Sequence, residues 1–232
     1  MQDEEISCML SKPINIDQFE GLREVALETM HFIKNHIDKL KLSKEENNYH
    51  ARWLVSKNTE DIWINQHLTG FLNYRPMKEY INSVRYDIKN DYDKKLVLDL
   101  GCGTCRYWPV LRYFKFDSFV GVDLFTMKDK ENKFLKEQIN LANLLCDQFD
   151  IKSRSIIEAD ATSDLGNLFD THVDWYNKKT HQNFDVVMST SSNYCKNSQG
   201  LPKHIFNPIA DKYILPTGIK ILFTGAFNLS ER

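Results

Sequence analysis

Asp99, Gly101, Gly103 and Asp123 are the residues of this chain whose types and spacing could do chemistry. The apolar run Lys95-Leu96-Val97-Leu98-Asp99-Leu100 is closed by Gly101-Cys102-Gly103-Thr104-Cys105. Such a run, bounded by turn residues, reads as a buried strand leading into a tight turn. Two glycines let the chain reverse sharply and let a ligand lie against bare backbone. A second apolar run, Phe116 to Val122, ends in Asp123, twenty residues beyond Gly103. A carboxylate at the end of a second strand is suited to accept hydrogen bonds from both hydroxyls of a ribose.

The spacing separates two cofactor families. A dinucleotide fingerprint requires glycine three positions after Gly103, where this chain has Arg106. The segment instead resembles the class I methyltransferases, which bind S-adenosylmethionine. On that resemblance Asp99-Leu100-Gly101-Cys102-Gly103 is motif I and Gly121-Val122-Asp123-Leu124 is motif II. Glu158-Ala159-Asp160-Ala161 is motif III, and Phe184-Asp185-Val186-Val187-Met188 opens motif IV. The usual third glycine of motif I is Cys105 here. The resemblance implies that Asp99 lies near the amino-acid end of the cofactor and that Gly101 and Gly103 allow close backbone approach. It implies that Asp123 holds the ribose and that Asp160, with Ala161 beside it, meets the adenine amino group. Cys102, Leu124 and Ser189 complete the expected cofactor-binding set.

The elements that must position these residues follow from periodicity. The order is strand 95–100, helix 106–114, strand 118–122, helix 130–149 and strand 154–158. A helical insertion carrying Trp175 and Tyr176 comes next, then strand 184–190, helix 203–213 and strand 218–225. Alternation of this kind predicts an α/β fold with a parallel sheet covered on both faces. Right-handed crossovers and the resemblance give a Rossmann-like, doubly wound sheet of order 3-2-1-4-5. Ligands then gather at the carboxyl ends of the strands, where the order reverses. The family's final helix and antiparallel hairpin are expected to be missing, because few residues follow the fifth strand.

Residues 1–93 read as an N-terminal helical region, a lid and substrate wall, and residues 94–232 as the cofactor-binding core, the two forming one compact unit. From Ile16 to Leu42 the positions Phe19, Leu22, Ala26, Met30, Ile33, Ile37 and Leu40 recur at helical spacing, with Asp17 as the expected N-cap. A second helix starts after Asn58 or Thr59 and runs through Ile62, Ile64, Leu68 and Leu72. Pro76 opens a third, with Met77, Tyr80, Ile81, Val84 and Ile88 along one side.

Composition narrows the function class. With 232 residues, 42% of them hydrophobic, the chain can bury a substantial core. No apolar run approaches membrane-spanning length, and the acidic start Met1-Gln2-Asp3-Glu4-Glu5 is the opposite of a signal-peptide opening. A net charge of −2 offers no global attraction to nucleic acid, which demands a basic stripe. Lys128, Lys130, Lys133 and Lys136 are interleaved with Asp129, Glu131 and Glu137 and read as a solvated face. The five cysteines form no regular framework, which points to reduced thiols and a cytoplasmic setting. Cys102 and Cys105 lie inside the cofactor turn with no second pair at zinc spacing, so no metal is expected.

The acceptor side is less marked. Ser191, Ser192, Asn193 and Tyr194 follow the fourth strand, where the resemblance places the acceptor pocket. Ser191 and Tyr194 have the spacing of a polar-Pro-Pro-aromatic motif but lack its prolines, so that assignment is declined. Tyr194, His50 and His204 are the candidate general bases. Tyr49, Arg52 and Trp53 form a less regular stretch suited to a closing lid, with Arg52 able to hold an anionic group; Ser192 and Asn193 join them as candidate substrate contacts. Trp63 and Tyr80 read as core.

The expected function is transfer of a methyl group from S-adenosylmethionine, leaving S-adenosylhomocysteine, to oxygen or nitrogen of a small molecule. The alternatives are a catalytically silent cofactor-binding subunit, an RNA or protein methyltransferase, and an aminopropyl transferase. The apolar strand around Ile219, Ile221, Leu222 and Phe223 is expected at the sheet's edge, where a second copy or a partner protein could pair with it.

Overall fold

Apolar runs flanked by turn residues form the five strands of one parallel sheet in the computed structural model, which describes residues 12–43, 59–86, 95–125, 133–173, 183–190 and 201–223. The strands are β1 (Lys95–Leu100), β2 (Phe116–Asp123), β3 (Ser153–Glu158), β4 (Phe184–Thr190) and β5 (Ile214–Phe223). Their order is β3-β2-β1-β4-β5, as expected, and every neighbouring pair is parallel. The order reverses beside β1, so the ends of β1, β2 and β4 share one edge of the sheet. Leu100 is level with Val122, and Asp123 with Glu158.

Side chains alternate across β1 and divide the core in two. Leu98 and Leu100 join a cluster with Val120, Val122 and Val187, covered by the helices Gly166–His172 and Lys203–Tyr213. Val97 joins the other cluster, with Phe119, Val186, Met188 and Ile221. The cover there is α1 (Leu22–Leu40), a π-helical stretch (Ile62–Leu68) that the short α2 (Thr59–Asp61) leads into, α3 (Thr69–Asn73), α4 (Arg75–Tyr86), α5 (Trp108–Tyr113) and α6 (Lys133–Gln148). Completing the chain-order labels, α7 is Gly166–His172 and α8 is Lys203–Tyr213. The helices before β1 therefore share one apolar cluster with the sheet.

Hydrogen bonds fasten that cover. The Trp63 indole N–H donates to Ala26 carbonyl at 3.0 Å, and the Tyr80 hydroxyl donates to Phe114 carbonyl at 3.2 Å. Both rings are buried, as core residues should be. The Asn73 side chain accepts from Ile14 N–H at 2.7 Å and donates to Ile14 carbonyl at 2.8 Å. No helix among the described residues is long and apolar enough to cross a membrane.

Several elements depart from expectation: β2 starts two residues before the expected 118, α5 spans Trp108–Tyr113 rather than 106–114, and α6 spans Lys133–Gln148 rather than 130–149. Asp17 is not the N-cap of α1. Residues Ile16–Gln18 form a short 3-10 turn capped by Asn15, Gly21 takes a left-handed φ of 78°, and α1 starts at Leu22. The Asp17 carboxylate instead pairs with Arg23 at 2.6 Å. The second helix is π-wound over seven residues, with Thr69 N–H reaching back to Ile64 carbonyl. β5 begins at Ile214, because Ile214 already pairs with Phe184; the register then shifts before Ile219 meets Val186. β5 does lie at the edge of the sheet. Its apolar character is accounted for by burial on both faces: Ile221 and Phe223 enter one cluster, and Leu222 packs on the other. The expected insertion around Trp175 and Tyr176 falls outside the described residues.

Gly121 marks a close approach in β2. A Cβ there would lie 2.7 Å from Cys102 Sγ and 2.9 Å from Trp108 Cζ2, both on buried side chains. Overpacking of this kind costs about 1–3 kcal/mol. Gly121→Ala is therefore expected to lower unfolding free energy by about that amount in a urea titration.

Candidate functional site

The loop after β1 folds into the end of β2 through backbone bonds. Gly101, at φ 78°, donates its N–H to Val122 carbonyl at 2.7 Å. Gly103, at φ 53°, donates to Asp123 Oδ2 at 2.9 Å, and Phe125 N–H donates to Asp123 Oδ1 at 3.3 Å. Asp123 is half-buried and is thus held at the mouth of the glycine loop. A Cβ on Gly103 would meet Gln138 Nε2 at 3.0 Å, so α6 also borders the loop.

Cys105 occupies the position of a third glycine and adopts a glycine's conformation, with φ 58°. Its N–H donates to Cys102 carbonyl at 2.9 Å, closing the turn. A left-handed conformation costs a residue with a Cβ about 1–2 kcal/mol. Burial pushes the Cys102 thiol up to about 11 and the Cys146 thiol up to about 12, and raises Cys105 well above the usual thiol range. These are protonated thiols that pack.

Asp99 is the buried polar centre, 1% exposed. Its Oδ2 accepts from the Trp108 indole N–H at 2.9 Å, while Oδ1 has no hydrogen-bond partner among the described residues. Burial pushes its carboxyl up to about 7; the Trp108 hydrogen bond opposes this, the Asp123 charge adds to it, and the Arg106 guanidinium opposes it.

The other expected residues are distributed around this centre. Ala159 N–H donates to Asp123 carbonyl at 2.9 Å, which brings the segment after β3 against the end of β2. Asp160 follows, its Oδ1 accepting from Thr162 N–H at 2.8 Å and from the Thr162 hydroxyl at 2.7 Å. Ala161 is buried in the cluster beneath, Leu124 is half-buried, and Ser189 is buried near the end of β4. His204 is exposed in the first turn of α8. Tyr49, His50, Arg52, Trp53, Ser192, Asn193 and Tyr194 lie outside the described residues.

Sequence reasoning missed a group at the join between the glycine loop and the helical cover. Arg106 lies over the Trp63 ring at 5.9 Å and the Tyr107 ring at 5.2 Å. His67, stacked on Trp63, is pushed down to about 4 by burial and by the Arg106 charge. The available signal was an Arg-Tyr pair directly after the turn and a Trp and His four residues apart in one helix.

No protein-family model and no curated protein matches the chain. The chain is similar in fold to several solved methyltransferases. A SAM-dependent methyltransferase from Thiobacillus denitrificans, solved with S-adenosyl-L-homocysteine, is 15% identical with a TM-score of 0.36, over 64% of this chain and 47% of that one. A precorrin-6y C5,15-methyltransferase from Geobacter metallireducens is 12% identical with a TM-score of 0.36, over 63% and 61%. Geranyl diphosphate C-methyltransferase from Streptomyces coelicolor, solved with Mg2+, geranyl diphosphate and S-adenosyl-L-homocysteine, is 9% identical with a TM-score of 0.38, over 78% and 54%. The match thus covers 47–61% of the length of these three proteins. At these identities the likeness concerns architecture alone.

Two expectations follow from the site's geometry. Asp99 takes up its proton at higher pH in the folded chain than in the unfolded one, so its contribution favours folding at low pH. That contribution is lost as pH rises from about 4 to about 7 and is level above. Asp99→Asn removes it, so the stability of the variant relative to the parent should rise across that window and then flatten, as read by denaturant midpoints at several pH values. Cys105→Gly relieves the left-handed strain but loses a small buried side chain and stiffens the turn less. These terms nearly cancel, and the variant should unfold within about 1 kcal/mol of the parent, whereas β-branched Cys105→Val should be clearly less stable.

Proposed function

We propose that the chain is an S-adenosylmethionine-dependent methyltransferase acting on oxygen or nitrogen of a small-molecule acceptor. One observation carries the reading: a carboxylate at the end of β2 is pinned by the amide of a glycine loop, beside a buried aspartate with a spare acceptor oxygen. The fit to the cofactor can be judged at that oxygen. Asp99 Oδ1 is a buried acceptor without a partner, and a ligand ammonium beside it would supply the missing bond and favour the ionised carboxylate. The carboxylate of Asp123 would receive the ribose hydroxyls. The backbone of Gly101, Cys102 and Gly103 would lie against the amino-acid end. Asp160, with Ala161 and Leu124 near it, would meet the adenine, and Ser189 would close the β4 side.

Bound S-adenosylmethionine supplies a methyl group already activated on a sulfonium. The chain's own task is then to orient the acceptor and exclude water. We assign that task to residues 1–93 as cover, with Tyr49, Arg52, Trp53, Ser192 and Asn193 as acceptor contacts. Tyr194, His50 and His204 remain the candidates for removing an acceptor proton. The near-neutral net charge of −2 favours a small molecule over RNA.

The test is binding. Hydrogen bonds to a charged carboxylate are worth roughly 1.5–3 kcal/mol, so Asp123→Ala should weaken S-adenosylmethionine by about ten- to a hundred-fold. Calorimetry on the folded variant measures this directly. An unchanged affinity would remove Asp123 from the site and with it the cofactor reading.

A further inference from the structure

Cys102 and Cys105 flank Gly103 in the loop after β1, and the cofactor reading gives their side chains no work. The Cys105 N–H donates to the Cys102 carbonyl at 2.9 Å, so the four residues make a closed turn. Such a turn keeps its end Cα atoms within about 7 Å, and a disulfide spans about 4.4–6.8 Å. The two thiols are also hydrogen-bonded to each other, a bond that holds Cys102 down and pushes Cys105 up. Cys102 is 7% exposed and Cys105 1%. Cys146, on α6, is close enough to raise Cys105 and to be raised by Cys102.

Paired thiols of this kind can be joined by a peroxide. The Cys102 thiolate attacks one peroxide oxygen, the O–O bond breaks, and the released hydroxide takes up the thiol's proton to leave as water. The Cys105 sulfur then attacks the sulfenic sulfur, the S–O bond breaks, and the hydroxyl leaves with the Cys105 proton as a second water. Two thiols and one hydrogen peroxide thus become one disulfide and two waters. Cys102 reacts first, being the more exposed thiol and the less strongly raised. Burial, with Asp123 and Asp99 as neighbouring carboxylates, pushes it up to about 11, so bridging is slow near pH 7 and quickens about tenfold with each pH unit. Joining the sulfurs brings them to about 2 Å apart. The movement falls on Gly103 between them, whose N–H holds Asp123 Oδ2 at 2.9 Å, and draws Cys102 Sγ from the space beside Gly121.

We infer that Cys102 and Cys105 are a modification site, a disulfide pair that a peroxide closes and a dithiol opens, and that closing it frees the glycine loop from Asp123. The dithiol returns two hydrogens to the sulfurs and is itself oxidised to a disulfide. A ligand laid along Gly101 to Gly103 would then lose its backbone surface and the oriented carboxylate together. This consequence deepens the methyltransferase reading and rests on it; the bridge rests on the two side chains and their turn.

The experiment treats the full chain with hydrogen peroxide and maps its thiols by mass spectrometry without reductant. Cys102 and Cys105 fall in one tryptic peptide, Leu96–Arg106, which should lose the mass of two hydrogens and regain it with dithiothreitol. The rate of that loss should rise about tenfold for each pH unit above neutrality. Amide exchange at Gly103 should quicken by about tenfold in the bridged protein. Calorimetry should find S-adenosylhomocysteine bound about tenfold more weakly by the bridged protein, with full recovery on reduction. Cys105→Gly and Cys105→Ser, each compared with itself before and after peroxide, should keep their affinity. A Leu96–Arg106 peptide that retains both thiols, or one linked to the peptide carrying Cys146, would overturn the pair. So would a bridge that leaves Gly103 exchange or ligand affinity at the reduced value, or folded Cys105 variants that lose affinity as far as the parent. If the reduced parent fails to bind S-adenosylhomocysteine, the cofactor reading falls instead, and the pair is still judged by the peptide and by Gly103 exchange.

Discussion

The hydrogen bond from the Gly103 amide to Asp123 Oδ2 is the constraint on which the rest of the site depends. It joins the loop after β1 to the end of β2, and the Gly101 bond to Val122 carbonyl sets the same two segments in register one step earlier. Ala159 N–H then binds the Asp123 carbonyl, so the segment after β3 inherits its position from the same residue. Three strand ends are in this way referred to one aspartate. Charge-assisted bonds to a carboxylate are stronger than neutral ones, which makes Asp123 an effective anchor for a loop that has no side chains of its own at Gly101 and Gly103.

Asp99 stands one layer below and is governed by burial. A carboxylate fully removed from water without a counter-charge costs so much that the group takes up a proton instead. Trp108 relieves part of that cost, its indole N–H donating to Asp99 Oδ2 from within an apolar cluster. The pair ties the first residue of α5 to β1. Gly121 is bare because the Cys102 and Trp108 side chains fill the space that a Cβ would need.

Much of this was legible in the residues. The bounds of β1, β4 and α8 follow from apolar runs closed by polar or turn residues, and the parallel order follows from strands alternating with helices. The proximity of Gly103 and Asp123 was readable from their spacing. Cys105 was readable only as an oddity, and its left-handed φ explains why glycine is common there. What escaped was set by distant contacts. Gly21 breaks a helical pattern that continues on both sides of it, so periodicity alone started α1 too early. The start of β5 depends on Ile214 finding Phe184, thirty positions earlier in the chain. The cluster of Trp63, His67, Arg106 and Tyr107 exists only because the helical cover lands on the glycine loop. No local pattern of residues announces that landing.

The π-helical winding of Ile62–Leu68 has its own consequence. π-Winding is rare and accommodates a residue that α-geometry would not need. Thr69 bonds Ile64 carbonyl through both its backbone N–H and its hydroxyl, at 2.7 Å for the latter, so the extra residue is held by a side chain as well as by the backbone. Removing one residue from this stretch would let it relax to an α-helix while the turns on either side kept their angular phase, because the wider winding absorbs the extra residue. The same deletion in α3 would instead turn Trp63 by about 100° relative to the residues beyond it, off the carbonyl of Ala26 and away from Arg106. The wall beside the glycine loop thus tolerates a change of length in one stretch and not in the next.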